Sequence, residues 1–126
     1  MERELLFRDE CRMIQEAVSE VYRVLGGGFL EPVYQECLEK ELGRKKVPFE
    51  AQRELRLYYK GEVLQHTCRP DLVCYDKIIV ELKALPVFNN EHRSQVLNTL
   101  KCTGMRLGLL INFGNYQNVE VEKLVL

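Results

Sequence analysis

The sequence has no C-x-x-C pair, no apolar run near the roughly eighteen residues that cross a bilayer, and no excess of basic charge. The first absence, with an odd count of five cysteines (Cys11, Cys37, Cys68, Cys74 and Cys102), argues against a disulfide framework. His66, Cys68 and Cys74 can be drawn as part of a zinc site, but their spacing fits no familiar pattern and a fourth ligand is missing. The second absence excludes a spanning helix, so no membrane partner is expected. The N-terminal stretch M-E-R-E-L-L-F-R-D-E is charged on both sides of a short apolar patch, unlike a signal peptide. A cytoplasmic location, or a nuclear one in a eukaryote, is the expectation. The third absence reflects 18 Lys and Arg against 19 Asp and Glu. No whole-molecule field grips nucleic acid, so such contact must come from a local, salt-sensitive patch. That weighs against a dedicated binding module and says nothing against an enzyme that touches its substrate briefly. Internal repeats, low-complexity tracts and linkers are also missing.

What is present is one domain's worth of ordinary globular sequence. A length of 126 residues, 46% hydrophobic and 29% charged, can bury one core over residues 1–126 but not two. Ile14, Ala17, Val18, Val21, Tyr22 and Leu25 recur at three- and four-residue steps and predict a helix, interrupted by Gly26-Gly27-Gly28. A second helix is expected from Glu31-Pro32 to Gly43, with Val33, Tyr34, Cys37, Leu38 and Leu42 on its buried face. Alternation at Leu55, Leu57 and Tyr59 predicts a strand, and the Lys60-Gly61 turn leads to a second strand continuing to about Cys74. Residues 78–83, I-I-V-E-L-K, predict a third. Past the loop marked by Pro86, Asn89 and Asn90, a helix is expected from Glu91 to Cys102 and ends at Gly104. Residues 107–111, L-G-L-L-I, suit a central strand covered on both faces, and residues 119–125 an edge strand. The predicted order is ααβββαββ, an α/β fold with a mixed central sheet flanked by helices.

Residues 69–84, R-P-D-L-V-C-Y-D-K-I-I-V-E-L-K-A, carry the chemistry. If Tyr75-Asp76-Lys77 is a three-residue hairpin loop, Cys74 faces Ile78 and Asp71 lies opposite Glu81. Lys83, two residues on, projects from the same face. A two-residue loop at Asp76-Lys77 would shift the pairing by one and turn Asp71 away. Adjacent carboxylates repel and need positive charge between them, from Lys83 or from a divalent cation. Oxygen-only ligands favour magnesium or manganese over zinc. Alternation of this kind is also what any half-exposed strand shows, with Glu81 and Lys83 simply facing water.

Pro70-Asp71, nine residues, then Glu81-Leu82-Lys83 resembles the PD-(D/E)xK signature of restriction endonucleases, junction resolvases and related exonucleases. The predicted order contains the αβββαβ core of that restriction-endonuclease-like superfamily. Residues 28–34, G-F-L-E-P-V-Y, match the G-x-x-E-x-x-Y motif of the GxxExxY family, and Gln52, Tyr59-Lys60-Gly61, Gln95 and residues 108–114 match further. The resemblance spans roughly residues 14–125. It implies a Mg2+-dependent nuclease (Mn2+ substituting) acting on nucleic acid, DNA in the first instance, in repair, recombination or defence. Asp71 and Glu81 are implied metal ligands with the Leu82 carbonyl, and Lys83 is implied to orient or activate water and offset charge on the phosphate. Glu31 is implied as a further metal or water ligand, although an acid in a first helical turn can merely offset the dipole.

Gln95 resembles the glutamine of a Q-x-x-x-Y element that supports the active site or a phosphate. Thr99 stands where the tyrosine usually is, removing a stacking surface. Tyr34 lies three residues after Glu31 on the same helical face and reads as support or as core. Arg69 and Arg93 are candidate phosphate contacts, and also ordinary surface arginines. His66 and His92 receive no role. The competing reading is an inactive or regulatory module that keeps the fold and binds nucleic acid or a protein. A homodimer would suit two sites cutting two strands.

Overall fold

The structure is a computed structural model that describes residues 6–126; the first five residues of the N-terminal stretch lie outside the described residues. Helix α1 (Arg8–Leu25) buries Ile14, Ala17, Val18 and Val21 of the predicted stripe, with Cys11 added and Tyr22 and Leu25 partly buried. It stops where Gly26 turns to φ 67° and donates its N–H to Tyr22 O at 2.8 Å. Helix α2 (Glu31–Arg44) opens with proline in its first turn and runs one residue past Gly43. Helix α3 (Asn90–Thr103) is capped by Asn89, whose side chain accepts from His92 N, and closed by Gly104 in the left-handed region. No helix among the described residues is long and apolar enough to cross a membrane.

Among the described residues, seven strands form two sheets. The larger runs β1 (Phe49–Ala51), β4 (Leu72–Cys74), β5 (Ile78–Lys83), β6 (Leu107–Asn112), β7 (Glu120–Val125) in that spatial order. Strands β5 and β6 are parallel, joined over α3, and the other neighbours are antiparallel. The second sheet is a hairpin of β2 (Leu55–Tyr59) and β3 (Glu62–Cys68). The mixed sheet with flanking helices is the expected fold class, but the strand order ααβββαββ needs two corrections. The strand expected to run from beyond Val63 to Cys74 is two strands, because the buried Pro70 has no N–H to offer a ladder. Its first part therefore pairs with β2 off the main sheet. The three-residue β1 is an added edge, too short for any alternation to reveal.

Two cores sit on the two faces of the large sheet. Residues of α1 and α2 pack with Leu72, Ile78, Val80, Leu109 and Ile111 on one side. On the other, Val96 and Leu100 of α3 pack with Val73, Ile79, Leu110 and Leu55 of the hairpin. Because successive strand residues alternate faces, Glu81 and Lys83 follow Ile79 onto the α3 side, and Asp71 precedes Val73 there. Strand β6 is buried at all six positions, as its continuous apolar run predicts.

The β2–β3 turn has two residues, Lys60 (φ 50°) and Gly61 (φ 80°), between the paired Tyr59 and Glu62. Both sit in the left-handed region that this hairpin type requires, and lysine tolerates it less well than asparagine. Lys60→Asn is expected to stabilise the protein by about 0.5 kcal/mol, raising the melting temperature by ~2 °C. Thermal unfolding followed by circular dichroism checks this, and an unchanged or lower midpoint contradicts it.

Candidate active site

The β4–β5 turn sets the register on which the site depends. Tyr75 and Asp76 adopt φ of 54° and 61°, and Cys74 O accepts from Lys77 N at 3.1 Å. Cys74 then opposes Ile78, Val73 opposes Ile79 and Leu72 opposes Val80. This is the three-residue loop, and Arg53 paired with Asp76 steadies its tip. Asp71 lies one residue before the paired segment of β4, beside Glu81. Its N–H donates to Glu81 Oε1 at 3.0 Å, and its own Oδ2 accepts from Leu82 N at 2.7 Å. Each carboxylate thus accepts a backbone N–H from the other's strand. In a strand the N–H and C=O of one residue point the same way, so the Leu82 carbonyl also faces Asp71.

Three carboxylates share this region with one ammonium. Burial pushes the Glu81 carboxyl up to about 7, helped by the Asp71 charge and opposed by the Asp71 N–H and Lys83. Glu31, in the first turn of α2, is also raised, first by burial and then by Asp71, with Lys83 opposing. Gln35, one turn along α2, donates from Nε2 to Asp71 O at 3.2 Å and ties that helix to the strand end. Among the described residues no three His, Cys, Asp or Glu side chains stand close enough to hold an ion as they are. Yet oxygen donors with too little positive charge among them are what a hard divalent cation suits. The residues fit such an ion in chemistry.

The raised Glu81 carboxyl has a consequence for stability. Between its ordinary value of 4.5 and about 7, the folded chain keeps a proton that the unfolded chain releases. The metal-free protein therefore loses stability as pH rises through that window, and the penalty is complete above it. Glu81→Gln keeps the acceptor for Asp71 N–H and removes the buried charge. In chelator at pH 8 it is expected to be more stable than wild type by about 2 kcal/mol, with the gap closing towards pH 4.5. Melting curves of both proteins across this range test it, and parallel curves would refute the assignment.

The end of β5 is held by groups of the matched stretch 108–114 to which the sequence assigned no role. Phe113 N donates to Lys83 O at 2.9 Å. The fully buried Asn112 accepts from Leu85 N at 2.8 Å and donates to Leu85 O at 2.8 Å and Glu120 Oε1 at 2.9 Å. Gly114 lies against the Leu85 backbone and donates to the same Asn112 oxygen at 3.0 Å. A lone asparagine closing an apolar strand was the available signal. Tyr34 is core: fully buried, it stacks on Phe113 at 4.5 Å, and its hydroxyl donates to Gly26 O at 2.5 Å. It also accepts from Phe29 N at 3.3 Å, so it braces the loop leading into Glu31.

A cavity of about 210 Å3 opens beside these groups, lined by Glu81, Lys83, Arg69, Gln95 and Thr99 among others. Gln95 is exposed at its wall, while the Thr99 hydroxyl donates to Gln95 O at 3.0 Å within the helix. Arg69 reaches Glu54 at 3.0 Å. Arg93 is not in the cavity wall; its Nε lies 2.8 and 2.7 Å from the two Glu122 oxygens on β7. Arg93, a sequence candidate for a phosphate contact, is thus paired with Glu122 in this structure.

A family model described as the PD-(D/E)XK nuclease superfamily matches residues 8–124. No curated protein matches. The crystal structure of SSO0001 is similar at a TM-score of 0.56 and 20% identity, covering 98% of this chain and 62% of that one. The chain thus spans about three-fifths of that protein's length (62%), and the likeness is one of fold.

Proposed function

Because the chain belongs to the PD-(D/E)XK nuclease superfamily, we propose that it is a metal-dependent phosphodiesterase that hydrolyses DNA. The observation that carries this reading is the reciprocal bonding of Asp71 and Glu81 across a hairpin, with Lys83 next along the same face. Nothing in the fold requires half-buried carboxylates there, and an apolar pair would be cheaper. Asp71, Glu81, Glu31 and the Leu82 carbonyl would hold a magnesium or manganese ion. When bound, such an ion polarises the phosphate and lowers the pKa of water near it.

The chain's own groups do the rest. Lys83 holds a positive charge beside the cavity, where it offsets charge developing on the phosphate in the transition state. Its backbone is fixed through Phe113 and its neighbour Leu85 through Asn112, so little reorganisation accompanies reaction. Gln95 offers an amide to the substrate from the α3 wall.

The test pairs metal uptake with cleavage. Wild type is expected to bind manganese in a calorimeter and to cut DNA when magnesium or manganese is added, whereas Asp71→Asn does neither. Equal residual cleavage by the two proteins would mean contamination and end the nuclease reading. A wild type that binds DNA but takes up no metal would favour the binding-only module.

A further inference from the structure

Helix α3 meets the cavity along one face, at His92 and at Gln95, Val96 and Thr99, which lie three, four and seven residues after it. Of these His92 was given no role by sequence, and two observations single it out. Its imidazole lines the same cavity as Glu81 and Lys83. Its Nδ1 is buried with no hydrogen-bond partner among the described residues, which leaves Nε2 as the ring nitrogen for a ligand in the cavity. A buried ring nitrogen left unpaired is unfavourable, and such groups call for a reason beyond packing. The adjacent Arg93 points about 100° further round the helix and is forked on Glu122. The cation nominated from sequence is thus spent on β7, and the side chain that reaches the cleft is its neighbour.

We propose that His92, rather than Arg93, is the α3 residue that contacts a backbone phosphate of the bound strand, in the cavity it lines with Lys83. The inference rests on the nuclease reading and assigns that site a substrate contact outside its carboxylates. The ring sits on a helix anchored by Val96 and Leu100 in the core, so the contact is held rigidly. The small cavity suits one phosphodiester and its sugar rather than a base pair. Arg69 faces it from the β3–β4 connection, with Glu54 as its partner in the free protein. A contact made equally in the ground state and the transition state raises KM on removal and leaves kcat nearly unchanged.

Binding of a fluorescein-labelled DNA oligonucleotide is measured by anisotropy in EDTA, and KM and kcat with magnesium. His92→Ala is expected to weaken binding about fivefold to tenfold and raise KM by the same factor, with kcat within threefold. His92→Gln, which restores a donor at similar reach, recovers most of that loss. Melting temperatures of both variants should lie within ~2 °C of wild type. The inference is overturned if His92→Ala binds and turns over as wild type does, or if both variants lose affinity only in step with lost stability. It also falls if Arg93→Ala weakens binding while His92→Ala does not. Cleavage by wild type but not Asp71→Asn, with His92→Ala unaffected, would refute this inference alone. Weakened binding by His92→Ala in a protein that never cleaves would refute the nuclease reading and leave the phosphate contact standing.

Discussion

Lys83→Ala is expected to slow magnesium-dependent DNA cleavage by about a thousandfold while manganese uptake stays within a few-fold of wild type. The Lys83 ammonium lies near enough to both carboxylates to oppose the rise that burial and the Asp71 charge give Glu81 and Glu31. Its removal leaves the oxygen donors in place, so an ion can still bind. What disappears is a fixed charge beside the cavity, and such groups act mainly on the transition state. Asp71→Asn should differ in kind. Asp71 Oδ2 holds Leu82 N at 2.7 Å, and an amide there can keep that bond while losing its charge. Cleavage and metal uptake should therefore fall together. Single-turnover rates and calorimetry on both variants separate the two effects. Lys83→Ala with wild-type rates would remove the lysine from the mechanism.

Gly114→Ala should be the most damaging small substitution in the chain. A Cβ at Gly114 would overlap the backbone nitrogen and oxygen of Leu85, with the Ala84 carbonyl carbon 2.5 Å away. Backbone cannot swing aside as a side chain can. The variant must either push residues 84–85 outward or break the Asn112 bonds to Leu85. The expected cost is about 3 kcal/mol, a fall in melting temperature of roughly 10–15 °C. Any folded fraction should also cleave poorly, because Lys83 precedes the displaced segment and a shift near 1 Å can cost about a hundredfold in rate. A melting temperature within 2 °C of wild type would show that the Leu85 segment is free to move.

Local signals carried the helices. Asn89 caps α3 and Gly104 ends it, and the apolar stripe of α1 buries where its period says. The site's register was legible to the extent that a turn could be guessed. Two backbone φ values at Tyr75 and Asp76 decide between Asp71 meeting Glu81 and facing away, and neither residue type announces them. Three features escaped for a common reason, that tertiary contacts create them. Strand β1 exists because β4 offers an edge, and the break at Pro70 matters because β2 captures β3. Asn112 lay within a matched stretch, yet only the position of Leu85 explains it.

The two halves of the site are joined by connections of very different length. Asp71 and Glu81 come together through a three-residue loop, a pairing that can close within microseconds of collapse. The far end of the same strand waits for β6, which must return in parallel after the whole of α3 has been laid down. A chain caught midway would own an acidic hairpin before its lysine had a fixed seat. The Asp71–Glu81 pairing therefore depends on local sequence, whereas the fixed position of Lys83 depends on the long-range return of β6.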